Sequence, residues 1–285
     1  MWQPGDIVDR FVLIARVGRG GQAEVWRAAD RVDGTTVALK LIHESPDEAQ
    51  NERARREARA LCKVSHPAVL QARALFEDPA RRVIGLALEW MDGADLERMK
   101  SVLSLRARRA ALFHVAAGLA CLHRQGIVHR DLKLANVLIR HDFELRPTDA
   151  GQVKVADLGM ASTLGNPHKL TQTGFVVGTL PYLAPELIDS RLFGEFEARP
   201  TQDVFAFGVA GLELLFGNHP TGLPTDASML DYADAYRDAV EFPDAWLPIS
   251  PIDDPIVRTL KRALRLDPAE RPQTGADLTK QMRDG

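Results

Sequence analysis

Apolar and polar residues alternate through most of the N-terminal third of the chain, which is the pattern of half-buried β-strands. Three such runs, separated by glycines, are "RFVLIARVG", "AEVWRAAD" and "TTVALKLI", and two more, "LQARALFE" and "RVIGLALEW", are joined by a turn at "DPAR". Between the third and fourth runs, "DEAQNERARREARALCKV" has apolar residues at helical spacing, at Ala58, Leu61 and Cys62. The pattern predicts five antiparallel strands and one helix.

Charged residues fill the other positions of this helix. Arginines and glutamates are frequent on one face of it, and the arginines are Arg53, Arg55, Arg56 and Arg59. The simplest interpretation is a solvated face with ion pairs between residues four apart, such as Glu52–Arg56. We therefore expect these arginines to be exposed.

Helical spacing replaces the alternation after "MDGADL". "RRAALFHVAAGLACLHRQG" predicts a helix that ends near Gly126. "VFAFGVAGLELLFG" (204–217) predicts a buried core helix, because it is too short to span a membrane and carries Glu213. The polar segment 140–152 lies between two strand-like runs and predicts a hairpin tip. We expect one α+β domain, with a small β-rich lobe and hinge (1–91) and a larger α-helical lobe (92–285).

Composition narrows the class of function. With 285 residues, 45% of them hydrophobic and 26% charged, and a net charge of −3, the chain has an ordinary soluble globular composition. The near-neutral balance gives no electrostatic basis for binding nucleic acid or a membrane. The N-terminus lacks the pattern of a signal peptide, so we expect a cytoplasmic protein. Cys62 and Cys121 are expected to be buried, reduced thiols. The oligomeric state stays open.

Two N-terminal features have the chemistry of a phosphate site. The glycine-rich stretch "VGRGGQAEV" (17–25) connects the first two predicted strands. A tight turn would account for it, but such a flap also lets backbone N–H groups approach phosphates closely. "VALK" then places Lys40 in an apolar strand. A lysine that points inward there needs a partner, and Glu57 on the following helix is the candidate.

A second set of charged residues lies in the middle of the chain. "HRDLKLANVL" (129–138) is a polar loop followed at once by apolar residues, and "VKVADLG" (153–159) is a strand that ends at Asp157. A solvated loop is the alternative interpretation. Asn136 and Asp157 offer the hard oxygen ligands that Mg²⁺ takes together with phosphates. Asp131 could accept the proton of an attacking hydroxyl, and Lys133 could neutralise a transferred phosphoryl group.

In this order, these segments resemble the catalytic domain of protein kinases of the eukaryotic type over essentially the whole chain. The series is the glycine-rich flap, "VALK", the helix glutamate, "HRDLKLAN", "DLG", "GTLPYLAPE", "DVFAFGV" and "RP". The resemblance implies a bilobal protein-kinase fold, with a five-stranded antiparallel N-lobe that holds one helix and a larger helical C-lobe. It also implies ATP as co-substrate with Mg²⁺, or alternatively Mn²⁺. "GRGGQAEVWRA" resembles the opening of bacterial serine/threonine kinases.

The resemblance implies a role for each matching residue near ATP. Asp131 would be the catalytic base, and Lys133 would stabilise the phosphoryl group. Lys40 would pair with Glu57 and contact the α- and β-phosphates. The residues expected to bind ATP or its metal are Val17, Gly18, Gly20, Val25, Ala38, Lys40, Leu88, Glu89, Met91, Asp95, Asn136 and Asp157.

Other matching residues would be metal ligands or structural. Asn136 and Asp157 would hold the metal. Glu186 of "APE" would pair with Arg271, and Asp203 would brace the catalytic loop.

The resemblance also bears on the acceptor and on regulation. Lys133 and Thr179 are typical of the serine/threonine class, so we expect Ser and Thr hydroxyls of proteins as acceptors. Arg130, directly before the base, is typical of kinases whose activation loop is ordered by a phosphate. We therefore expect autophosphorylation at Thr171 or Thr173.

Two positions depart from the family pattern. Ala23 replaces the third glycine of the flap, and Leu158 stands where phenylalanine is usual. Neither change removes a charged catalytic group. Two alternatives stay open: a pseudokinase or docking scaffold that binds nucleotide without transfer, and a kinase of small molecules. The first is disfavoured because the catalytic charges are all present, and the second because the chain has Lys133 and an "APE" segment.

Overall fold

The computed structural model describes residues 2–20, 23–157, 180–188, 198–217, 219–224, 226–238 and 254–284. The chain forms two compact units, Met1–Asp92 and Gly93–Gly285. The first is built on an antiparallel sheet and the second mainly from helices. The predicted α+β class is therefore confirmed.

The sheet of the first unit has six strands in the order β1-β2-β3-β4-β6-β5, and each pair of neighbours is antiparallel. The strands are β1 (Ile7–Val8), β2 (Phe11–Arg19), β3 (Ala23–Asp30), β4 (Thr36–His43), β5 (Ala72–Asp78) and β6 (Val83–Glu89). The predicted count of five was wrong by β1, because two residues are too few to show an alternation. On one face, Phe11, Trp26, Leu39 and Leu41 form a buried core.

Helix α1 (Glu48–Leu61) begins after the N-cap Asp47, whose carboxylate accepts a backbone N–H of the first turn. The helix ends at Leu61, so Cys62 lies beyond its buried side and is exposed. The expectation of a buried thiol at Cys62 was therefore wrong, whereas Cys121 is buried.

Helices dominate the second unit. They are α2 (Leu96–Met99), α3 (Leu105–Arg124), α4 (Pro185–Ile188), α5 (Pro200–Phe216), α6 (Met229–Asp238), α7 (Pro255–Ala263) and α8 (Gly275–Arg283). Almost every residue of α5 is buried, as predicted. Gly211 lets α7 approach closely, since a Cβ there would lie 2.4 Å from Leu260 Cδ2. Helix α3 is followed by Gly126 with a φ of +71°. Within the described ranges, no helix is long and apolar enough to cross a bilayer.

A small sheet in the second unit orders the loop that carries the predicted catalytic residues. Its strands are β7 (Ala94–Asp95), β8 (Val137–Ile139) and β9 (Val153–Val155), paired in that order and antiparallel. A short 3-10 helix, Leu134–Asn136, leads into β8. The segment 140–152 joins β8 to β9, so the predicted hairpin is confirmed, and Phe143 anchors it in the helical core.

Candidate active site

The loop that contains Asp131 is fixed to the core by Asp203 of α5. The Asp203 carboxylate is 1% exposed and accepts the backbone N–H groups of His129, at 2.7 Å, and Arg130, at 2.8 Å. These two bonds satisfy both carboxylate oxygens with donors of the loop. A buried carboxylate with such partners sets the position of the backbone immediately before Asp131. The predicted bracing role of Asp203 matches this geometry.

His129 links the Asp131 loop to the end of β9. Its side chain is fully buried, and Nδ1 accepts the Asp131 N–H at 3.3 Å. The ring proton is therefore on Nε2, which donates to the Ala156 carbonyl at 3.0 Å. Ala156 directly precedes Asp157, so one imidazole fixes the spacing between the two acidic residues.

Two further predicted site residues, Lys133 and Asn136, contact Asp131. The Lys133 ammonium lies 3.1 Å from both Asp131 carboxylate oxygens. Asn136 Nδ2 donates to the Asp131 carbonyl at 2.7 Å and to its Oδ2 at 2.9 Å. Since the amide donors face Asp131, the Asn136 Oδ1 atom points away from that carboxylate. This cluster places a base, a cation and an amide oxygen side by side.

The β8–β9 hairpin brings Asp157 to the same end of the small sheet as Asn136. Val137 pairs with Val155, and the Ala156 N–H donates to the Asn136 carbonyl at 2.8 Å. Asp157 follows with a φ of 56°, in the left-handed region that residues other than glycine seldom adopt. Such a backbone conformation is common at functional sites, where the surroundings maintain it.

Asn136 and Asp157 offer too few ligands to hold a metal by themselves. They suit Mg²⁺ that is bound together with phosphates. In the part of the chain that is described, the Asn136 Oδ1 atom receives no hydrogen bond, and Asp157 is exposed at the loop end. The described ranges contain no group of three or more acidic, histidine or cysteine side chains that could hold a metal by themselves. Mg²⁺ commonly uses one or two protein oxygens together with substrate phosphates and water. The two residues present therefore suit a metal that arrives with a polyphosphate.

In the first unit, the residues predicted to contact the base and phosphates of ATP share one face of the sheet. Val25 pairs with Lys40, and Ala38 pairs with Leu88. Cross-strand partners point to the same side, and Ala38 and Lys40 are two residues apart, so all four side chains lie together. Val25, Ala38 and Leu88 are half-buried, and Lys40 is 9% exposed. The opposite face forms the core. On this face Leu86, the strand partner of Lys40, is buried, so the half-buried part at Val25, Ala38 and Leu88 is where a ligand could bind.

The conformation of the described residues does not require glycine at Gly18, near the end of β2, or at Gly20, directly after it. Neither Gly18 nor Gly20 has a positive φ, and a Cβ on either would make only ordinary contacts, of 3.8 Å and 3.7 Å. Val17, directly before Gly18, is 54% exposed. Because sterics within the described residues do not require glycine here, the room that these glycines leave is available to another molecule.

The remaining predicted residues of the first unit lie near these strands. Glu57 is half-buried on α1, and its pairing with Lys40 stays a prediction. The Glu89 N–H donates to the Gln71 carbonyl at 2.9 Å. This N–H is therefore already used, and a hydrogen bond from adenine to the Glu89 backbone would have to go to its carbonyl. Met91 is 7% exposed.

Asp95 has a structural role that the family resemblance did not imply. Its carboxylate caps helix α2 by accepting the Arg98 N–H at 2.9 Å, and it also lies 3.3 Å from the Arg98 guanidinium. A contact with ribose stays a prediction.

The segment 180–188 is held by a buried ion pair and a tyrosine. Glu186 and Arg271 make two parallel hydrogen bonds of 2.8 Å, which is the predicted pair. The Tyr182 hydroxyl donates to Glu213, and Lys100 pairs with the other Glu213 oxygen at 2.6 Å. Burial and the nearby Glu213 carboxylate raise the pKa of the Tyr182 hydroxyl, so it stays protonated as a donor.

Several predicted regulatory residues lie outside the described residues. These are Thr171, Thr173 and Thr179, and the departure at Leu158 lies there too. Arg130 is described, with a φ of 67°. Its proposed role toward a phosphorylated loop is therefore untested.

The sequence did not reveal the contacts of two residues, His123 and Arg55. His123, at the end of α3, lies 2.9 Å from Asp203 through Nε2 and accepts the Gly275 N–H through Nδ1. A single histidine in an apolar helical pattern gave no signal of this role.

Arg55 was expected on a solvated face, but its side chain is only 12% exposed. Glu52 pairs with Arg55 and not with Arg56, so the predicted Glu52–Arg56 pair was wrong.

Comparison with known proteins agrees with this geometry. A family model described as the protein kinase domain matches residues 11–282. The chain belongs to the protein kinase family. The family predicted from the ordered motifs is therefore confirmed.

Two curated relatives of this chain come from bacteria. It is 31% identical over 281 residues to the DNA damage-responsive serine/threonine-protein kinase RqkA of Deinococcus radiodurans, covering 96% of this chain and 39% of that protein. It is 34% identical over 219 residues to the serine/threonine-protein kinase PknA of Mycobacterium tuberculosis, covering 74% of this chain and 48% of that protein. The chain thus spans less than half the length of these relatives.

A solved structure supports the fold of this kinase chain. The kinase domain of PknI from Mycobacterium tuberculosis matches with a TM-score of 0.70 and 21% identity, covering 100% of this chain and 99% of that one. The predicted protein-kinase fold is confirmed by this likeness.

Proposed function

We propose that the chain is a serine/threonine protein kinase domain, which transfers the γ-phosphoryl group of ATP to Ser and Thr hydroxyls of proteins. The observation that carries the proposal is the cluster around Asp131, with the Lys133 ammonium 3.1 Å from its carboxylate and the Asn136 amide bonded to it. A general base, a stabilising cation and a metal ligand are thus held in one braced loop. Family membership and the names of the bacterial relatives support the same activity.

In the proposed step, the Asp131 carboxylate accepts the proton of the attacking hydroxyl. A bond forms between that hydroxyl oxygen and the γ-phosphorus, while the bond from the γ-phosphorus to the bridging oxygen breaks and ADP leaves. Lys133 is close enough to Asp131 to donate to an oxygen of the transferred group. The Asp131 carboxylate therefore acts on the proton of the attacking hydroxyl, and the Lys133 ammonium acts on the phosphoryl group.

The first unit would supply the nucleotide contacts. Val25, Ala38 and Leu88 form a half-buried apolar face that suits the flat adenine ring. Lys40, on the same face, would donate to the α- and β-phosphates, and Glu57 would hold its ammonium. The glycine-rich flap would place backbone N–H groups on the phosphates. Further expected contacts of this unit come from Val17, Gly18, Gly20, Glu89 and Met91. Asp95, of the second unit, is also expected to contact ATP.

Asn136 and Asp157 would hold Mg²⁺, or Mn²⁺ in its place. The ion, when bound, would offset negative charge on the phosphates of ATP. The residues fit this role because the amide of Asn136 is oriented by Asp131 and its oxygen is left for a ligand.

A phosphate on the activation loop would add a further level of control. Arg130 would pair with that phosphate, and the acceptor would be Thr171 or Thr173. Incubation of the purified chain with ATP followed by phosphopeptide mapping tests this. Phosphate at either threonine supports the idea, and a loop that stays unmodified contradicts it.

The experiment for the proposed function uses the purified chain with Mg²⁺, γ-labelled ATP and a generic acceptor protein, followed by phosphoamino-acid analysis. We expect label on serine and threonine, and a loss of about a hundredfold or more in the Lys40→Met variant. Arg73→Met, an exposed arginine of β5, is the control and should match the parent. Nucleotide binding without label on protein would indicate a scaffold, and label on small molecules alone would indicate a metabolite kinase.

A further inference from the structure

One arginine of α1 is surrounded by four carboxylates. The Arg55 guanidinium lies 2.5 Å from Glu44, 2.5 Å from Glu48, 2.9 Å from Glu52 and 3.0 Å from Glu77. All three of its nitrogens take part, and the side chain is only 12% exposed. A surface arginine on a solvated face would not be enclosed in this way.

The four carboxylates belong to three separate parts of the first unit. Glu44 follows β4, Glu48 and Glu52 lie on α1 itself, and Glu77 lies on β5. Arg55 therefore ties the helix to the strand that holds Lys40 and to the edge strand of the sheet. The guanidinium has five donors in a flat fork, which lets one side chain reach several carboxylates, whereas a lysine ammonium is a single point charge.

Apolar contacts alone hold α1 only weakly. Its buried residues are Asn51, Ala54, Ala58 and Leu61. Two of these are alanines and one is polar, so the helix buries only one large aliphatic side chain against the sheet. Glu48 and Glu52 are well exposed and lie on α1 itself. The pairs of Arg55 with Glu44 and Glu77, which lie outside the helix, are therefore the ionic contacts that hold α1 against the strands.

Removal of Arg55 would do more than delete one contact. Four carboxylates would be left close together, with Arg59 at 3.8 Å from Glu77 and Arg82 at 3.8 Å from Glu44 as the nearest remaining cations. Repulsion between carboxylates would then push the helix away from the strands.

We propose that Arg55 is a positioning residue for phosphoryl transfer. It fixes the rotation of α1 about its axis and the distance of α1 from the sheet, so that Glu57 contacts Lys40. The inference rests on the proposed function. Glu57 lies two residues after Arg55, about 200° around the helix axis, so the ionic cluster and the catalytic glutamate lie on nearly opposite sides. A helix that turned or lifted without its anchor would carry Glu57 away from the strand.

The test combines Arg55→Met with Glu57→Gln in a double-mutant cycle. The matched control is Arg56→Met, because Arg56 is the exposed neighbour on the same helix and has no ion pair with any described residue. Thermal unfolding first defines a temperature at which every variant is folded, and kcat and KM for ATP are then measured there. Arg55→Lys, which keeps the charge but not the fork, is a milder second variant.

We expect Arg55→Met to lower kcat/KM for ATP about tenfold, Arg55→Lys to fall between it and the parent, and Arg56→Met to change it less than about twofold. In the Glu57→Gln background, Arg55→Met should have almost no further effect, because the residue through which it acts is gone.

Two results would overturn the inference while leaving the proposed function intact. One is an active Arg55→Met variant with the kinetics of the parent at a temperature where it is folded. The other is an equal loss from Arg55→Met with and without Glu57, which would make Arg55 a general stabiliser. A parent chain that transfers no phosphate would overturn both proposals.

Discussion

The Asp203 carboxylate accepts the backbone N–H of His129 at 2.7 Å, although the two residues are far apart in the sequence. The same carboxylate accepts the Arg130 N–H and pairs with His123. A residue of the central buried helix thus fixes the backbone of the loop that carries Asp131. These bonds hold the loop in one position, which is what the proposed role of Asp131 as a base requires.

Replacement of Asp203 by asparagine should therefore affect both stability and transfer. The asparagine NH2 group would replace one carboxylate oxygen. It would then face the backbone N–H of His129 or Arg130, and that N–H would lose its acceptor. We expect the free energy of unfolding to fall by about 2–4 kcal/mol and the transfer rate to fall at least about tenfold. Urea unfolding and steady-state kinetics measure the two effects. The exposed Asp149→Asn is the control, and parent-like values in Asp203→Asn would refute this bracing role.

The buried pair between Glu186 and Arg271 should be sensitive to a conservative change. Arg271 donates to both Glu186 oxygens and to the Thr201 and Leu266 carbonyls. A lysine cannot make these contacts together, so Arg271→Lys should lower the free energy of unfolding by about 3–5 kcal/mol. Arg265→Lys, whose side chain is 39% exposed and 4.0 Å from Glu270, should change it by less than about 1 kcal/mol. Equal effects of the two variants in denaturant unfolding would contradict this.

His219 should make stability depend on pH. Its Nε2 donates to the Pro181 carbonyl at 2.7 Å, and Nδ1 accepts the Thr221 N–H at 3.2 Å. Burial lowers the pKa of His219, while Pro181 and the Glu213 carboxylate oppose that shift without reversing it. The folded state therefore binds the proton less readily than the unfolded chain does. The stability from the neutral ring is present above a pH of about 6.5 and is lost as pH falls through the lower folded pKa.

The measurement is the free energy of unfolding of the parent and of His219→Asn at a pH of about 7.5 and of about 5.5. We expect the parent to lose about 1 kcal/mol more than the variant over this interval. His141→Gln, at an exposed histidine, should behave as the parent. The same pH dependence in parent and His219→Asn would show that this ring does not titrate differently on folding.

Asn136 should have two separable roles, one toward Asp131 and one toward the metal. In Asn136→Ala, we expect the Mg²⁺ concentration for half-maximal activity to rise about tenfold or more. Asn136→Asp keeps an oxygen ligand but places a second carboxylate beside Asp131. It should lower kcat while changing the Mg²⁺ requirement less. Magnesium titrations of both variants test this, and an unchanged requirement in Asn136→Ala would exclude Asn136 as a ligand.

The sequence predicted those features that depend on local pattern or on a known order of motifs. Five strands, helix α1, the buried helix α5 and the 140–152 hairpin follow from the spacing of apolar residues. The β1 strand was missed because it has two residues, and Cys62 was misplaced because the helix ends one residue earlier than its apolar pattern suggests. The cluster around Asp131 was predictable since Asp131, Lys133 and Asn136 lie close together in the sequence.

What escaped prediction depends on contacts between distant segments. Arg55 is enclosed by carboxylates from β5 and from the end of β4, which no periodicity in α1 reveals. The contact of His123 with Asp203 joins two residues that are 80 positions apart in the sequence. Glu186 and Arg271 were paired only through the family resemblance, because a buried ion pair leaves no local signature in the sequence.

The central claim is that Asp131 acts as the base for transfer of a phosphoryl group from ATP to protein. The most direct measurement compares single-turnover transfer of labelled phosphate and equilibrium ATP binding in the parent and in Asp131→Asn. The account predicts label on Ser or Thr with the parent, transfer about a hundred- to ten-thousand-fold slower in the variant, and ATP affinity nearly unchanged. Transfer by Asp131→Asn at the rate of the parent would contradict it.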